Sequence, residues 1–167
     1  METPTELVIL IGRYLVERGW MIATAESCTG GLLGHTLTSV SGSSEYYQGG
    51  VISYSNRIKH ELLGVPEEVL TTVGAVSKET ALAMARRAQQ MCAAQVALAT
   101  TGIAGPLGGT PTKPVGTVYI AYVDGCTSEV LHLCWNGDRA ANNRATVQAA
   151  LELALKHLSR AEGTIPG

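Results

Sequence analysis

The chain has 167 residues, of which 46% are hydrophobic and 16% are charged. A single domain of this size can bury enough apolar surface to fold without the help of disulfide bonds or a bound metal. The composition is typical of a globular protein rather than a disordered one. The net charge is −2 with no clustered basic face, which argues against general nucleic-acid binding. The sequence shows neither a membrane-span pattern nor a signal-peptide pattern, so we expect a cytoplasmic protein.

The first part of the chain predicts a helix, a strand and a second helix. Apolar residues recur at helical spacing over residues 5–18, and Gly19 is a suitable C-terminal stop. WMIATAE (20–26) predicts a short strand. The polar turn SCTGG (27–31) then leads into the helical pattern LLGHTLTSV (32–40).

The middle of the chain predicts one strand followed by three helices. GGVISYS (49–55) alternates as a strand does, and NRIKHELLG (56–64) is a short helix for which Asn56 is the expected cap. Pro66 begins a further short helix, and SKETALAMARRAQQM (77–91) repeats the helical pattern.

The last part predicts three strands and a closing helix. QVALATTG (95–102) is a buried strand that runs into a glycine-rich loop at 102–116. TVYIAYV (117–123) and EVLHLCW (129–135) are close enough in sequence to form a hairpin. A helix follows over about 138–160, and we expect the remaining residues to form a frayed tail.

This alternation of helices and strands predicts one α/β domain over residues 1–167, with a sheet made mixed by the late hairpin. Open α/β sheets build their sites in the loops after the carboxyl ends of strands. Three polar loops are expected there: ESCTGG, SYSN and TTGIAGPLGG. The glycine-rich loop matches neither a P-loop nor a dinucleotide fingerprint.

The loop ESCTGG permits two interpretations. Backbone N–H groups of Thr29, Gly30 and Gly31 could bind an anion with the help of the helix dipole. Alternatively, Ser27 or Thr29 could only cap the helix. The spacing leaves both open.

Lys59 borders the apolar stripe of its helix, three and four positions before Leu62 and Leu63. Desolvation can lower a lysine pKa from about 10.4 to roughly 7 to 8, which would make a base able to activate a serine. The alternative is a lysine whose ammonium group reaches solvent. Spacing does not identify the partner serine; the candidates are Ser27, Ser43, Ser44, Ser53 and Ser55.

Other side chains carry weaker signals. The four histidines and four cysteines lack the spacing of metal ligands, and we interpret the cysteines as structural thiols. Arg139 and Arg144, early in the last helix, could present a guanidinium to a phosphate or pair with a surface carboxylate.

Several segments, taken together, resemble the C-terminal domain family of the competence/damage-inducible protein CinA. They are TAESCTGGLL, SGSSEYYQGGVISYSNRIKHELLGV, GAVSKETA, TTGIAGP with GGTPTKPVGTVYIA, and NGDRAANNRA, in that order from about residue 5 to 160. This family also occurs as stand-alone nicotinamide mononucleotide amidohydrolases. The resemblance implies a three-layer α/β/α sandwich around a mixed, mostly parallel sheet of about five strands.

The implied reaction converts nicotinamide mononucleotide to nicotinic acid mononucleotide and ammonia, in pyridine nucleotide recycling and without a metal or cofactor. The resemblance implies Ser44 as nucleophile, Lys59 as general base and Tyr54 as an assisting hydroxyl. The implied substrate-binding residues are Ser27, Thr29, Gly30, Gly31, Thr101, Gly102 and Arg144. The expected partner is the nucleotide, with no nucleic acid and no membrane, and a homo-oligomer is left open.

The sequence departs from the family at Leu107, where Asp or Gly is common, so no polar contact is expected from that position. We assign no activity of the N-terminal domain found in full-length CinA proteins. The alternative function is a non-catalytic regulatory module that binds a pyridine nucleotide. Retention of Ser44, Tyr54 and Lys59 together favours the enzyme.

Overall fold

The structure, a computed structural model, describes residues 1–160. The predicted frayed tail lies outside the described residues. In chain order the elements are α1 (Pro4–Arg18), β1 (Ile22–Glu26), α2 (Leu32–Thr38), a 3₁₀ turn (Ser43–Glu45), β2 (Tyr47–Ile52), α3 (Asn56–Glu61), α4 (Glu67–Thr71), α5 (Lys78–Met91), β3 (Val96–Gly102), β4 (Thr117–Val123), β5 (Ser128–Cys134) and α6 (Arg139–Arg160).

One sheet contains the five described strands in the order β2-β1-β3-β4-β5. β1 pairs in parallel with both β2 and β3, whereas β4 pairs antiparallel with both β3 and β5. Four strands therefore run in one direction and β4 runs against them. This confirms the predicted mixed, mostly parallel sheet.

Helices cover both faces of the sheet. Large side chains such as Ile22 and Leu98 point to the face where α1, α2 and α6 pack. The alternate positions are small, for example Ala23 and Ala97, and α5 packs against them. Each fully buried leucine or isoleucine contributes roughly 1.5 to 3 kcal/mol relative to an exposed one. The arrangement confirms the predicted three-layer sandwich.

Two boundaries predicted around β2 and α3 were wrong. β2 is Tyr47–Ile52 rather than 49–55, because the chain leaves the strand after Ile52 and turns into α3. The cap of α3 is Ser55 rather than Asn56, since the Ser55 side chain accepts a hydrogen bond from the Ile58 N–H at 3.2 Å.

The parallel pairing places the carboxyl ends of β1, β2 and β3 at one edge of the sheet. The segments that follow these strands, 27–31, 53–55 and 103–116, therefore meet at that edge. In residues 1–160, no helix is both long and apolar enough to cross a membrane.

Gly116 joins the end of the glycine-rich loop to the sheet. Its N–H donates to the Ile103 carbonyl at 2.7 Å, and its own carbonyl accepts from the Trp135 N–H at 2.9 Å. The Gly116 φ is +93°, and a Cβ added there would overlap with the Trp135 backbone carbonyl. Both the backbone conformation and the close approach therefore require glycine.

We predict that Gly116→Ala lowers the free energy of unfolding by about 1 to 3 kcal/mol or more, because the added Cβ strains the backbone and clashes with the Trp135 carbonyl. The matched control is Gly125→Ala in the β4–β5 turn, where an added Cβ meets nothing within 4 Å. That control should stay within about 1 kcal/mol of the parent in chemical denaturation. Equal stability of the two variants would contradict the geometry described for Gly116.

Candidate active site

A pocket of about 290 Å³ opens at the edge of the sheet where β1, β2 and β3 end. Its lining comes from the three loops, from α3, from the segment before α5 and from the first residue of α6. It includes Ser27, Tyr54, Lys59, Thr101 and Arg139. The volume is near the lower end of the range typical of small-molecule sites.

Lys59 is buried in this pocket, with 2% of its surface exposed. Its Nζ donates to Ser27 Oγ at 2.8 Å, to the Ser53 carbonyl at 2.8 Å and to the Tyr54 carbonyl at 3.3 Å. A lysine ammonium has three N–H donors, so these three acceptors satisfy all of them. Lys59 is thereby held against the Ser27 hydroxyl.

Desolvation lowers the pKa of the Lys59 ammonium from 10.5 to about 8. Within the described part of the chain, no carboxylate forms a salt bridge with it. A substantial fraction of Lys59 is therefore neutral in mildly alkaline solution, and a neutral amine can accept a proton from Ser27.

Cys28 also lines the pocket, directly after Ser27. Burial raises the pKa of the Cys28 thiol to about 12, so its reactive thiolate form is scarce near neutral pH. This leaves the Ser27 hydroxyl as the candidate nucleophile in contact with Lys59.

Ser44 does not lie in this pocket. It is exposed in the 3₁₀ turn that precedes β2, whereas Ser27 follows β1. Because β1 and β2 are parallel, the two serines lie at opposite edges of the sheet, roughly a strand length of 20 Å apart. The expected pairing of Ser44 with Lys59 is corrected: the structure brings Ser27 to Lys59.

The predicted substrate-binding residues separate into two groups. Ser27, Thr101 and Gly102 line the pocket, whereas Thr29, Gly30 and Gly31 do not. The Thr101 hydroxyl donates to the Ala75 carbonyl at 2.7 Å, so the neighbouring loop holds it.

The Glu26 carboxylate caps the N-terminal end of α2. Glu26 is buried, and its side chain accepts hydrogen bonds from the backbone N–H groups of Gly31, Leu33 and Gly34. Thr29 Oγ1 also donates to it at 2.6 Å. The helix is therefore capped, but not by Ser27 or Thr29 as the second interpretation of ESCTGG had it: the capping group is Glu26, which the sequence analysis missed.

Arg139 lines the pocket, whereas Arg144, which the resemblance implies as a substrate-binding residue, does not. The Arg139 guanidinium donates to the Gly105 carbonyl at 2.9 Å and to the Tyr54 hydroxyl at 2.6 Å. Arg144 is exposed farther along α6 and lies outside the pocket lining. Leu107 lines the pocket and is highly exposed, so this position presents an apolar side chain.

A larger cavity, of about 710 Å³, opens at the opposite edge of the sheet. Two of its polar side chains are already engaged: Gln95 Oε1 accepts from the Met21 N–H, and Asp124 Oδ1 accepts from two backbone N–H groups of its own turn. We place the candidate site in the smaller pocket, where the Ser27 hydroxyl and the buried Lys59 amine are in contact. Among the described residues, no three His, Cys, Asp or Glu side chains are grouped to hold a metal ion.

Curated relatives carry the same domain. The chain is 47% identical over 148 residues to a CinA-like protein of Cytophaga hutchinsonii, covering 89% of this chain and 35% of that protein. It is 46% identical over 153 residues to a CinA-like protein of Salinibacter ruber, covering 92% and 37%. The chain thus spans little more than a third of the length of these relatives.

Solved structures share the fold. The competence damage-inducible protein A of Klebsiella pneumoniae subsp. pneumoniae MGH 78578 superposes with a TM-score of 0.91 at 33% identity, covering 95% of this chain and 98% of that one. The competence/damage inducible protein CihA of Agrobacterium tumefaciens gives 0.90 at 41% identity, covering 95% and 99%. Residues 5–158 match the family model of the CinA C-terminal domain, and the chain belongs to that family.

Proposed function

We propose that this protein is an amidase that hydrolyses the carboxamide of nicotinamide mononucleotide to nicotinic acid mononucleotide and ammonia, in pyridine nucleotide recycling. The observation that carries the proposal is the buried 2.8 Å contact between Lys59 Nζ and Ser27 Oγ in an open pocket. A serine beside a lysine with a lowered pKa is suited to acyl transfer. The nicotinamide substrate comes from the family resemblance.

The proposed reaction uses Ser27 and Lys59 in two steps. Neutral Lys59 takes the proton of Ser27 Oγ, which attacks the carboxamide carbon, while backbone N–H groups of the pocket stabilise the developing oxyanion. The C–N bond breaks, Lys59 returns the proton to the leaving nitrogen, and ammonia departs. Lys59 then takes a proton from water, whose oxygen attacks the ester carbon. The C–O bond to Ser27 breaks, and Lys59 returns the proton to Ser27 Oγ, which restores both side chains.

The substrate itself favours this protonation state. Nicotinamide mononucleotide carries a positively charged pyridinium ring, and a nearby positive charge disfavours the protonated form of Lys59. The Ser53 and Tyr54 carbonyls keep Nζ oriented toward Ser27 during the proton transfers.

Arg139 is the proposed phosphate-binding residue. A guanidinium has five N–H donors, and the bonds to Gly105 and Tyr54 use two of them. Its fixed position at the pocket suits it to pair with the phosphate through charge-assisted hydrogen bonds. The resemblance implies Tyr54 as an assisting hydroxyl; since that hydroxyl accepts a hydrogen bond from Arg139, we propose instead that Tyr54, 61% exposed, holds Arg139 in place.

We predict that Ser27→Ala lowers the rate of ammonia release from nicotinamide mononucleotide by several orders of magnitude, because it removes the nucleophile. Ser44→Ala is the control, since Ser44 is exposed in the 3₁₀ turn and should tolerate the change. Parental turnover by Ser27→Ala would contradict the assignment. Binding of the nucleotide by the parent protein without ammonia release would instead favour a regulatory module.

The pH dependence of turnover tests Lys59. Below the pKa of about 8 the lysine is charged and cannot accept a proton, so kcat/KM should rise as the pH increases through this value. Lys59→Arg should be inactive across that range, because arginine stays protonated. An arginine variant with substantial activity would show that Lys59 supplies charge rather than acting as a base.

Phosphate recognition is tested by comparing nicotinamide mononucleotide with its dephosphorylated riboside. Arg139→Gln should lower kcat/KM for the nucleotide roughly tenfold to a hundredfold and leave the riboside less affected, since a charge-assisted hydrogen bond is lost. Arg144→Gln is the matched control and should behave like the parent. If Arg144→Gln loses the preference for the nucleotide over the riboside and Arg139→Gln keeps it, the phosphate-binding residue is Arg144 rather than Arg139.

A further inference from the structure

Glu26 lies directly before Ser27 and is 2% exposed. Among residues 1–160, Glu26 and Lys59 are the two charged side chains that are buried. A buried carboxylate is costly unless hydrogen bonds compensate for the lost water. Lys59 takes part in the proposed reaction, whereas Glu26 exchanges no proton and forms no bond in it.

The Glu26 carboxylate organises the turn that follows Ser27. Its Oε2 accepts from Thr29 Oγ1 at 2.6 Å and from the N–H groups of Gly31 and Leu33 at 3.1 and 3.0 Å. Its Oε1 accepts from the Gly34 N–H at 2.7 Å. These four bonds replace an ordinary side-chain cap, which Gly31 cannot provide.

The main chain of Glu26 reaches the other half of the site. Its carbonyl accepts from the Ser53 N–H at 2.7 Å, and the Ser53 carbonyl in turn accepts from Lys59 Nζ at 2.8 Å. Thus the side chain of Glu26 holds the turn that begins at Ser27, and its backbone holds the segment that orients Lys59.

We propose that Glu26 is a positioning residue, whose carboxylate fixes the turn 27–31 so that Ser27 Oγ stays within hydrogen-bonding distance of Lys59 Nζ. Glu26 lies outside the pocket lining, so it acts through Ser27 rather than on the substrate. The role in turnover rests on the proposed amidase function, but the reactivity of Ser27 can be measured without it.

The test substitution is Glu26→Gln. An amide of the same size presents an NH₂ group to at least one of the four donors, so the hydrogen-bond set cannot be completed. The measurement is the rate constant for labelling of Ser27 by a small fluorophosphonate, followed by mass spectrometry with peptide mapping. In that reaction the Oγ–P bond forms, the P–F bond breaks, fluoride leaves and the serine proton passes to Lys59.

We expect Glu26→Gln to lower this rate constant roughly tenfold to a hundredfold, because a small displacement of a reacting group has an effect of that size. The kcat for ammonia release should fall by a similar factor, and the KM should stay within about threefold of the parent. Reversible partial unfolding would lower the observed rate constant only in proportion to the folded fraction, which circular dichroism measures on the same sample. A merely structural role therefore predicts an unchanged rate constant once it is divided by that fraction.

Two further variants support the interpretation. Glu129→Gln is the control: this carboxylate binds Lys156 and His157 at the opposite edge of the sheet, and the labelling rate should match that of the parent. Thr29→Val removes one of the four bonds to Glu26, together with the 2.7 Å hydrogen bond between the Thr29 and Thr100 hydroxyls, and should lower the rate constant in the same direction, less strongly. It serves as the test if Glu26→Gln does not fold.

The proposal is overturned if the variants that fold, of Glu26→Gln and Thr29→Val, label with rate constants within about twofold of the parent. Failure of the parent to label at Ser27 would also overturn it, because no reactive serine would need positioning. If the parent labels at Ser27 but releases no ammonia from nicotinamide mononucleotide, the proposed function fails while the labelling rates still decide the role of Glu26.

Discussion

The site depends on keeping the Lys59 ammonium group out of water beside a serine. Burial disfavours its charged form, and the pKa falls from 10.5 to about 8. A buried ammonium group is stable only where acceptors form hydrogen bonds with its three N–H donors. For Lys59 these acceptors are Ser27 Oγ and the carbonyls of Ser53 and Tyr54. The same burial that costs free energy makes the amine available as a base.

The sheet topology supplies those acceptors. β1 and β2 are adjacent and parallel, so the segments that follow them leave the sheet side by side at one edge. One segment provides Ser27, and the other provides the Ser53 and Tyr54 carbonyls and then Lys59 on α3. Glu26 links the two segments, since its side chain caps α2 while its carbonyl accepts from the Ser53 N–H.

Periodicity predicted the helices, the strands and the three loops of the site, because each depends on local apolar spacing. It also predicted that Lys59 borders an apolar surface. Spacing did not identify its partner serine, and the resemblance implied Ser44. The structure contradicts that pairing, because Ser44 precedes β2 whereas Ser27 follows β1, so the two serines lie at opposite ends of two parallel strands. The choice between Arg139 and Arg144 depends on where α6 begins relative to the pocket, which is set by tertiary packing rather than by the helix sequence.

The most direct test of this account is a nuclear magnetic resonance titration of protein carrying ¹³C-labelled lysine side chains. The Lys59 signal is assigned by its absence from a Lys59→Met variant, and its chemical shift is followed as the pH is raised. The account predicts a midpoint near 8. A midpoint near the ordinary lysine value of 10.5 would contradict it, because Lys59 would then be almost entirely charged even in mildly alkaline solution and could not serve as the base for Ser27.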